Sequence, residues 1–270
     1  MIVTSYCWVM RRVLFLFAIG LAACGGASSS SQVSGAPAVA TSSEPPQSSP
    51  VAPDDLRPGT VDIRRTTMSD GTEITYGLIL PKDFDSDKQY PVLLALPPGD
   101  QSVGLMTSLA ESTYAEQAMQ RGWVVITPAA PDGVLFFQGS EQYIPEFLDQ
   151  LAWIKLEGGR YHIAGVSNGG RSTFRIATLE PERFASVLVF PGFPAGPTDA
   201  GSLADLAKLP VAMFVGGEDP GWIGPMRETA DTLESLGGTV TLDIRDGEGH
   251  IMRSLSDGVD IFDFLDSVRP

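Results

Sequence analysis

Tyr161-His162-Ile163-Ala164-Gly165-Val166-Ser167-Asn168-Gly169-Gly170 is the stretch on which the reading of this chain turns. Residues 160–164 have the look of a short buried strand, and residues 169–179 carry a helical pattern that ends before Pro181. Between them stands Gly165-Val166-Ser167-Asn168-Gly169, a G-x-S-x-G pentapeptide. In a chain with 29 Gly the pentapeptide alone says little, and its position between strand and helix is what informs. So sharp a turn holds its serine at a strained backbone angle and crowds its neighbours, and glycines on either side relieve that crowding. Ser167 is the candidate nucleophile.

Outward from this turn, short apolar runs alternate with longer helical patterns, as in a mostly parallel sheet covered by helices. Residues 61–67 and 73–80, joined across Asp70-Gly71, read as an opening antiparallel hairpin. Residues 91–96 (PVLLAL) and 123–127 (WVVIT) read as strands buried on both faces. Further strands are expected at 184–190, 211–215 and 239–244, with helices over 106–121, 141–155, 227–236 and 255–268. The total is about eight strands in one domain over residues 56–270, with no repeat. The Gly- and Pro-rich stretch after Phe190 is too short for a large helical cap. The cleft over Ser167 is therefore expected to be open and shallow.

The chain resembles the α/β-hydrolase family over residues 61–270, and within it small secreted esterases such as feruloyl esterases, polyhydroxyalkanoate depolymerases and dienelactone-hydrolase-like enzymes. The stretches that carry the resemblance are DGTEITYGLILPKDF from Asp70, YPVLLALPPG from Tyr90, GVSNGG from Gly165, PERFASVLVFPG from Pro181, VGGEDP from Val215 and GEGH from Gly247. It implies an eight-stranded α/β-hydrolase fold without a large cap domain. It also implies ester hydrolysis without a cofactor, and triad members in the chain order Ser, Asp or Glu, His. His250, in a glycine-rich loop between the last strand and the final helix, stands where the family keeps its catalytic histidine. The other histidine, His162, lies inside the strand before the turn and reads as structural. The acid should follow the strand 211–215, where Glu218 and Asp219 are neighbours. The family's frame favours Asp219, with Glu218 and then Asp246 as alternatives.

An oxyanion hole needs two backbone donors, one from Asn168 and one from the loop after Leu96. Many relatives have His-Gly there, whereas this chain has Pro97-Pro98-Gly99-Asp100. Proline has no N–H, which leaves Gly99, Asp100 or Gln101, and the family's spacing favours Gly99. A carboxylate at Asp100 would oppose a developing oxyanion unless it points away. Trp222, Phe136 and Phe137 fall on loops at the carboxyl edge of the sheet, where ligands bind in open α/β folds. They either form a platform for an acyl or aromatic group or pack the loops.

The N-terminus reads as a targeting segment. Arg11 and Arg12 precede an apolar run over residues 13–23, too short for the roughly 20 residues that span a bilayer. It ends in Leu21-Ala22-Ala23-Cys24, which resembles the lipobox of bacterial lipoproteins. That resemblance implies a signal peptide over residues 1–23, Cys24 as the lipidation site and anchoring to a bacterial membrane outside the cytoplasm; the alternative is an ordinary secretory signal with an incidental cysteine. Gly25 stands where an Asp often marks inner-membrane retention, which points towards an outer membrane. Residues 24–55 are nearly all small or Pro and cannot offset their ordering entropy, so a disordered tether is expected. Its root-mean-square reach would be about 30 Å.

Net charge is −15, an acidity that disfavours nucleic acid and anionic lipid as partners. With two His, no H-x-x-x-H spacing and no Cys after Cys24, no metal site is expected. Two other functions fit the same fold. One is a serine peptidase of the prolyl-oligopeptidase type; the other is a surface lipoprotein that keeps the fold as a binding module.

Overall fold

The computed structural model describes residues 50–269; the signal-like run, Cys24 and most of the tether lie outside them. Eight strands make the main sheet: β1 (Val61–Thr67), β2 (Glu73–Ile79), β4 (Val92–Leu96), β5 (Val124–Pro128), β7 (Tyr161–Gly165), β8 (Phe184–Val189), β9 (Val211–Gly216) and β10 (Val240–Arg245). Two more, β3 (Gln89–Tyr90) and β6 (Lys155–Leu156), pair as a short separate ribbon that the sequence pattern does not announce. The order across the main sheet is β1-β2-β5-β4-β7-β8-β9-β10. β1 and β2 form the expected hairpin, with Val61 opposite Ile79 and Thr67 opposite Glu73. From β5 to β10 every neighbouring pair is parallel.

Alternation along the strands divides the core between the two sheet faces, because successive side chains in a strand point to opposite sides. Leu94, Leu96, Val187, Val189 and Met213 face one layer, which holds α3 (Ile144–Gln150), α4 (Asn168–Leu179) and α7 (Pro220–Ser235). Leu93, Ala95, Leu188, Ala212 and Phe214 face the other. That layer holds a helix formed by α1 (Val103–Leu109), a π turn over Ala110–Tyr114 and α2 (Ala115–Arg121), together with α8 (Val259–Ser267). Two short helices, α5 (Pro197–Gly201) and α6 (Leu203–Leu206), occupy the stretch after β8. Among the described residues there is no larger insertion there.

Three helices differ from the pattern-based expectation. The one expected over 141–155 is helical only to Gln150, after which i→i+3 bonds tighten the chain and Trp153 packs edge-on against Phe84. Trp153 lies off the apolar stripe of Phe147, Leu148, Leu151 and Ile154, and turning the chain is what buries it. The helix expected from Arg227 begins at Pro220 and contains Pro225 in its second turn, where the missing N–H forgoes the i→i−4 bond to the Gly221 carbonyl. The last helix begins at Val259, because Gly258 before it has a left-handed backbone.

Chain order reverses between β4 and β7: one crossover leads from β4 to β5 on one side, the next from β5 to β7 on the other. The carboxyl ends of these two strands therefore diverge and leave a crevice, the place where open α/β sheets bind ligands. The loop after Leu96 and the turn at Ser167 both open into it.

Candidate active site

Ser167 sits between β7 and α4 with φ 56 and ψ −115, one of three non-glycine residues at positive φ among those described. Such an angle costs free energy and persists only where the surroundings fix it. Here its N–H donates to Pro191 O at 2.8 Å. A Cβ at Gly165 would collide with the Gly169 carbonyl and Thr173 Oγ1, and one at Gly169 would collide with the Leu96 carbonyl. The two flanking glycines are thus required by close backbone approach.

His250 Nε2 lies 2.8 Å from Ser167 Oγ, and its Nδ1 lies 2.7 Å from Asp219 Oδ2. The acid loop after β9 and the histidine loop after β10 are stitched together: Glu218 N–H donates to Glu248 O, and Gly217 N–H to Arg245 O. The Glu248 carboxylate accepts from both the backbone and the hydroxyl of Ser254, which closes the loop carrying His250. Glu218 is exposed and Asp246 is exposed, and neither side chain is bonded to the imidazole. Asp219, whose side chain is 12% exposed, occupies that place. The Glu248 contribution was not legible in the sequence, where it is one more acid in a glycine-rich loop.

Gly99 and Ser167 line the same cleft. Among the described residues neither the Gly99 N–H nor the Asn168 N–H has a protein acceptor, whereas the Gln101 N–H is committed to Pro98 O at 3.0 Å. The Asn168 side chain ties the two segments together by donating to Gly99 O at 2.8 Å. Asp100 accepts from Ser102 N–H at 3.0 Å, and hydrogen bonding from Ser102 holds its carboxyl below the ordinary range. Its carboxylate is therefore turned along its own loop. Gln101 is fully buried and serves as the brace of this loop. Its Nε2 donates to Pro97 O and Ser172 Oγ, and its Oε1 accepts from Phe136 N–H. Nothing in its residue type marks that role.

The aromatic residues divide. Trp222 packs on His250, with ring centroids 4.9 Å apart, and on Phe193 at the same separation. Phe136 is fully buried in the core, packed with the layer that holds α3, and does not form a platform. Phe137 is covered by the Arg171 guanidinium, 4.6 Å from the ring centroid, and likewise does not reach the cleft. His162 is buried against Trp123, with Nδ1 2.7 Å from Ser186 Oγ. Burial, and then the nearby positive charge of Arg269, push its pKa down to about 4, so it stays neutral.

The cleft is deeper than expected on one side. Between the α1 helix and the segment after His250 lies a cavity of about 470 Å³ that reaches Ser167 and is lined by Leu105, Leu109, Phe190, Met252 and Leu255 among others. The side after Phe190 carries no cap, but α1 and the segment after His250 wall this one. Among the described residues no group of three His, Cys, Asp or Glu is placed to hold a metal ion.

No protein-family model matches the chain. Several solved structures are similar in fold. A thermostable esterase aligns with a TM-score of 0.62 at 18% identity over 78% of this chain and 63% of its own. A ferulic acid esterase aligns at 0.63 and 16% identity over 78% of this chain and 97% of its own. A dipeptidyl peptidase 4 from Porphyromonas gingivalis aligns at 0.58 and 14% identity over 77% of this chain. This chain thus spans less than two thirds of the thermostable esterase and 35% of the peptidase. The chain has the α/β-hydrolase fold.

Proposed function

We propose that this protein is a serine hydrolase that cleaves carboxylic esters through an acyl-enzyme. The observation that supports it most is the unbroken line Ser167 Oγ, His250 Nε2, His250 Nδ1, Asp219 Oδ2 with steps of 2.8 and 2.7 Å on a strained turn. In this reading Ser167 attacks the ester carbonyl carbon as His250 takes its proton. The carbonyl oxygen becomes an oxyanion held by the N–H groups of Asn168 and Gly99, at the positive end of the α4 dipole. His250 then protonates the departing alcohol. Water repeats the sequence on the acyl-enzyme, releasing the acid and restoring the hydroxyl. Asp219 stays ionised, fixing the imidazole tautomer and stabilising the imidazolium.

Esterases among the similar structures support this choice, and so does the uncharged lining of the cleft. A peptide substrate with a free ammonium would need a carboxylate that the lining residues lack. We propose also that Cys24 carries a lipid that anchors the domain to a bacterial membrane outside the cytoplasm, on the strength of Leu21-Ala22-Ala23-Cys24. The catalytic proposal is tested by a fluorophosphonate probe followed by peptide mass spectrometry. An adduct on Ser167 is expected. Absence of labelling in folded protein would instead favour a non-catalytic binding module. Faster cleavage of dipeptidyl p-nitroanilides than of p-nitrophenyl acetate would move the assignment to a peptidase.

A further inference from the structure

The cavity beside Ser167 has a composition that triad chemistry does not require. Its volume of about 470 Å³ lies in the range of sites that enclose small molecules. Phe190, Met252 and Leu255 are buried in its floor, and Leu109 and Val166 are half-buried beside them. The rim carries Leu105 and Ile251, the latter 84% exposed, with the hydroxyls of Ser108, Ser112 and Ser256. None of the lining residues is Asp, Glu, Lys or Arg, in a chain with 33 acidic and 18 basic residues.

Its two walls are braced by backbone. The π turn over Ala110–Tyr114 interrupts the helix where Ser112 and Thr113 line the cavity, and π turns concentrate at functional sites. Across from it stands the segment from Ile251 to Ser256, which leads into α8. The walls meet at Gly258, where a Cβ would collide with the Thr113 carbonyl. A width held by main-chain contact adapts less than one held by mobile side chains.

We infer that this cavity is the subsite for one uncharged, apolar group of the ester, and that it excludes groups bearing a charge; the inference rests on the hydrolase reading. Leu109, Ser112 and Leu255 are its specificity-determining positions. An apolar group entering it leaves water for Leu, Met and Phe surfaces, and each buried methylene then raises kcat/KM nearly fourfold until the space is full. A carboxylate or ammonium on the same group would lose its hydration and find in return only hydroxyls and the His250 imidazole, whose nitrogens are already bonded to Ser167 and Asp219. The group is either the acyl chain or the alcohol, since both are attached to the carbonyl group that Ser167 attacks.

Two substrate series on the intact domain separate these sources. The acyl series is p-nitrophenyl acetate, butyrate and hexanoate, with the p-nitrophenyl monoester of adipate as the charged member. The alcohol series is methyl, butyl and hexyl acetate, with acetylcholine as the charged member. In one series kcat/KM should climb by about fourfold per methylene, and its charged member should fall at least about 100-fold below the neutral ester of matched length. Ser112→Trp, which fills the cavity from its rim, should flatten that series by lowering the ratio of its longest neutral member to its shortest. A readout that needs no turnover is titration with the neutral dye N-phenyl-1-naphthylamine, which should bind saturably to the wild type and at least about tenfold more weakly to Ser112→Trp.

Acetate esters turned over with both series flat, charged esters cleaved as well as neutral ones, or dye binding unaffected by Ser112→Trp would each overturn the inference while leaving the hydrolase reading in place. Folded protein that neither cleaves acetate esters nor labels at Ser167 overturns the hydrolase reading, and this inference with it.

Discussion

Replacing Asp219 by Asn keeps the size of the side chain and removes its charge, which makes it a clean probe of the acid. In the folded protein Asp219 Oδ2 lies 2.7 Å from His250 Nδ1, so the carboxylate holds the ring proton on Nδ1 and leaves Nε2 bare, 2.8 Å from Ser167 Oγ. An asparagine can turn its NH₂ towards Nδ1 instead. The proton then moves to Nε2, and the serine faces a donor where it needs a base. With the Asp219 side chain only 12% exposed, water cannot readily take over the carboxylate's place. The expected loss is about 10⁴ in kcat, equivalent to roughly 5.5 kcal/mol of transition-state stabilisation. Glu218→Gln is the matched control, because Glu218 is exposed and unbonded to the imidazole. It should change the rate by no more than about twofold. The assay is single-turnover and steady-state hydrolysis of p-nitrophenyl acetate, with thermal melts to show that both variants fold. An Asp219→Asn enzyme with more than about a tenth of wild-type kcat would refute the tautomer argument. Reversal of the two effects would move the acid to Glu218.

Three further outcomes follow from other parts of the chain. His162 has its pKa lowered to about 4 by burial, against about 6.5 in an unfolded chain, so between those values the unfolded state binds the extra proton. Stability should therefore fall as pH drops through that window, by roughly 3 kcal/mol in all, and urea melts of His162→Gln should show a shallower decline. Gly169→Ala should cost at least about 3 kcal/mol or prevent folding, because its Cβ would meet the Leu96 and Pro97 carbonyls; a melt within a degree of wild type would contradict the close approach. Cys24→Ser should abolish incorporation of labelled palmitate and release the protein from the membrane fraction, and unchanged partitioning would remove the anchor proposal.

What the sequence made legible was whatever depends on local pattern. The strand-turn-helix at Ser167 is set by residues close in the chain, whereas His250 and Asp219 stood out only through the family resemblance, and the fold brings all three together. The strands were legible because residues such as those of Val92–Leu96 are buried on both faces and so read as unbroken apolar runs. What escaped depends on partners distant in the chain. Gln101 braces the loop after β4 only because Ser172 and the Phe136 backbone come within reach. The cavity exists because Leu109 and Leu255, far apart in sequence, both come to line it. Phe136 and Trp153 show the reverse: an aromatic residue in a loop or at a helix end goes wherever the core has room, and periodicity does not say where that is.

Whether Ser167 is the nucleophile is decided by the kcat ratio of wild type to Ser167→Ala on one good ester. Of the line from Asp219 through His250, Ser167 Oγ is the atom that would bond to the substrate carbon. Its removal should lower kcat by at least about 10⁴ and leave only the residual catalysis of binding and the oxyanion donors, with the fold intact by thermal melt. A folded Ser167→Ala protein that still turns the ester over within about tenfold of wild type would show that the chemistry is done elsewhere.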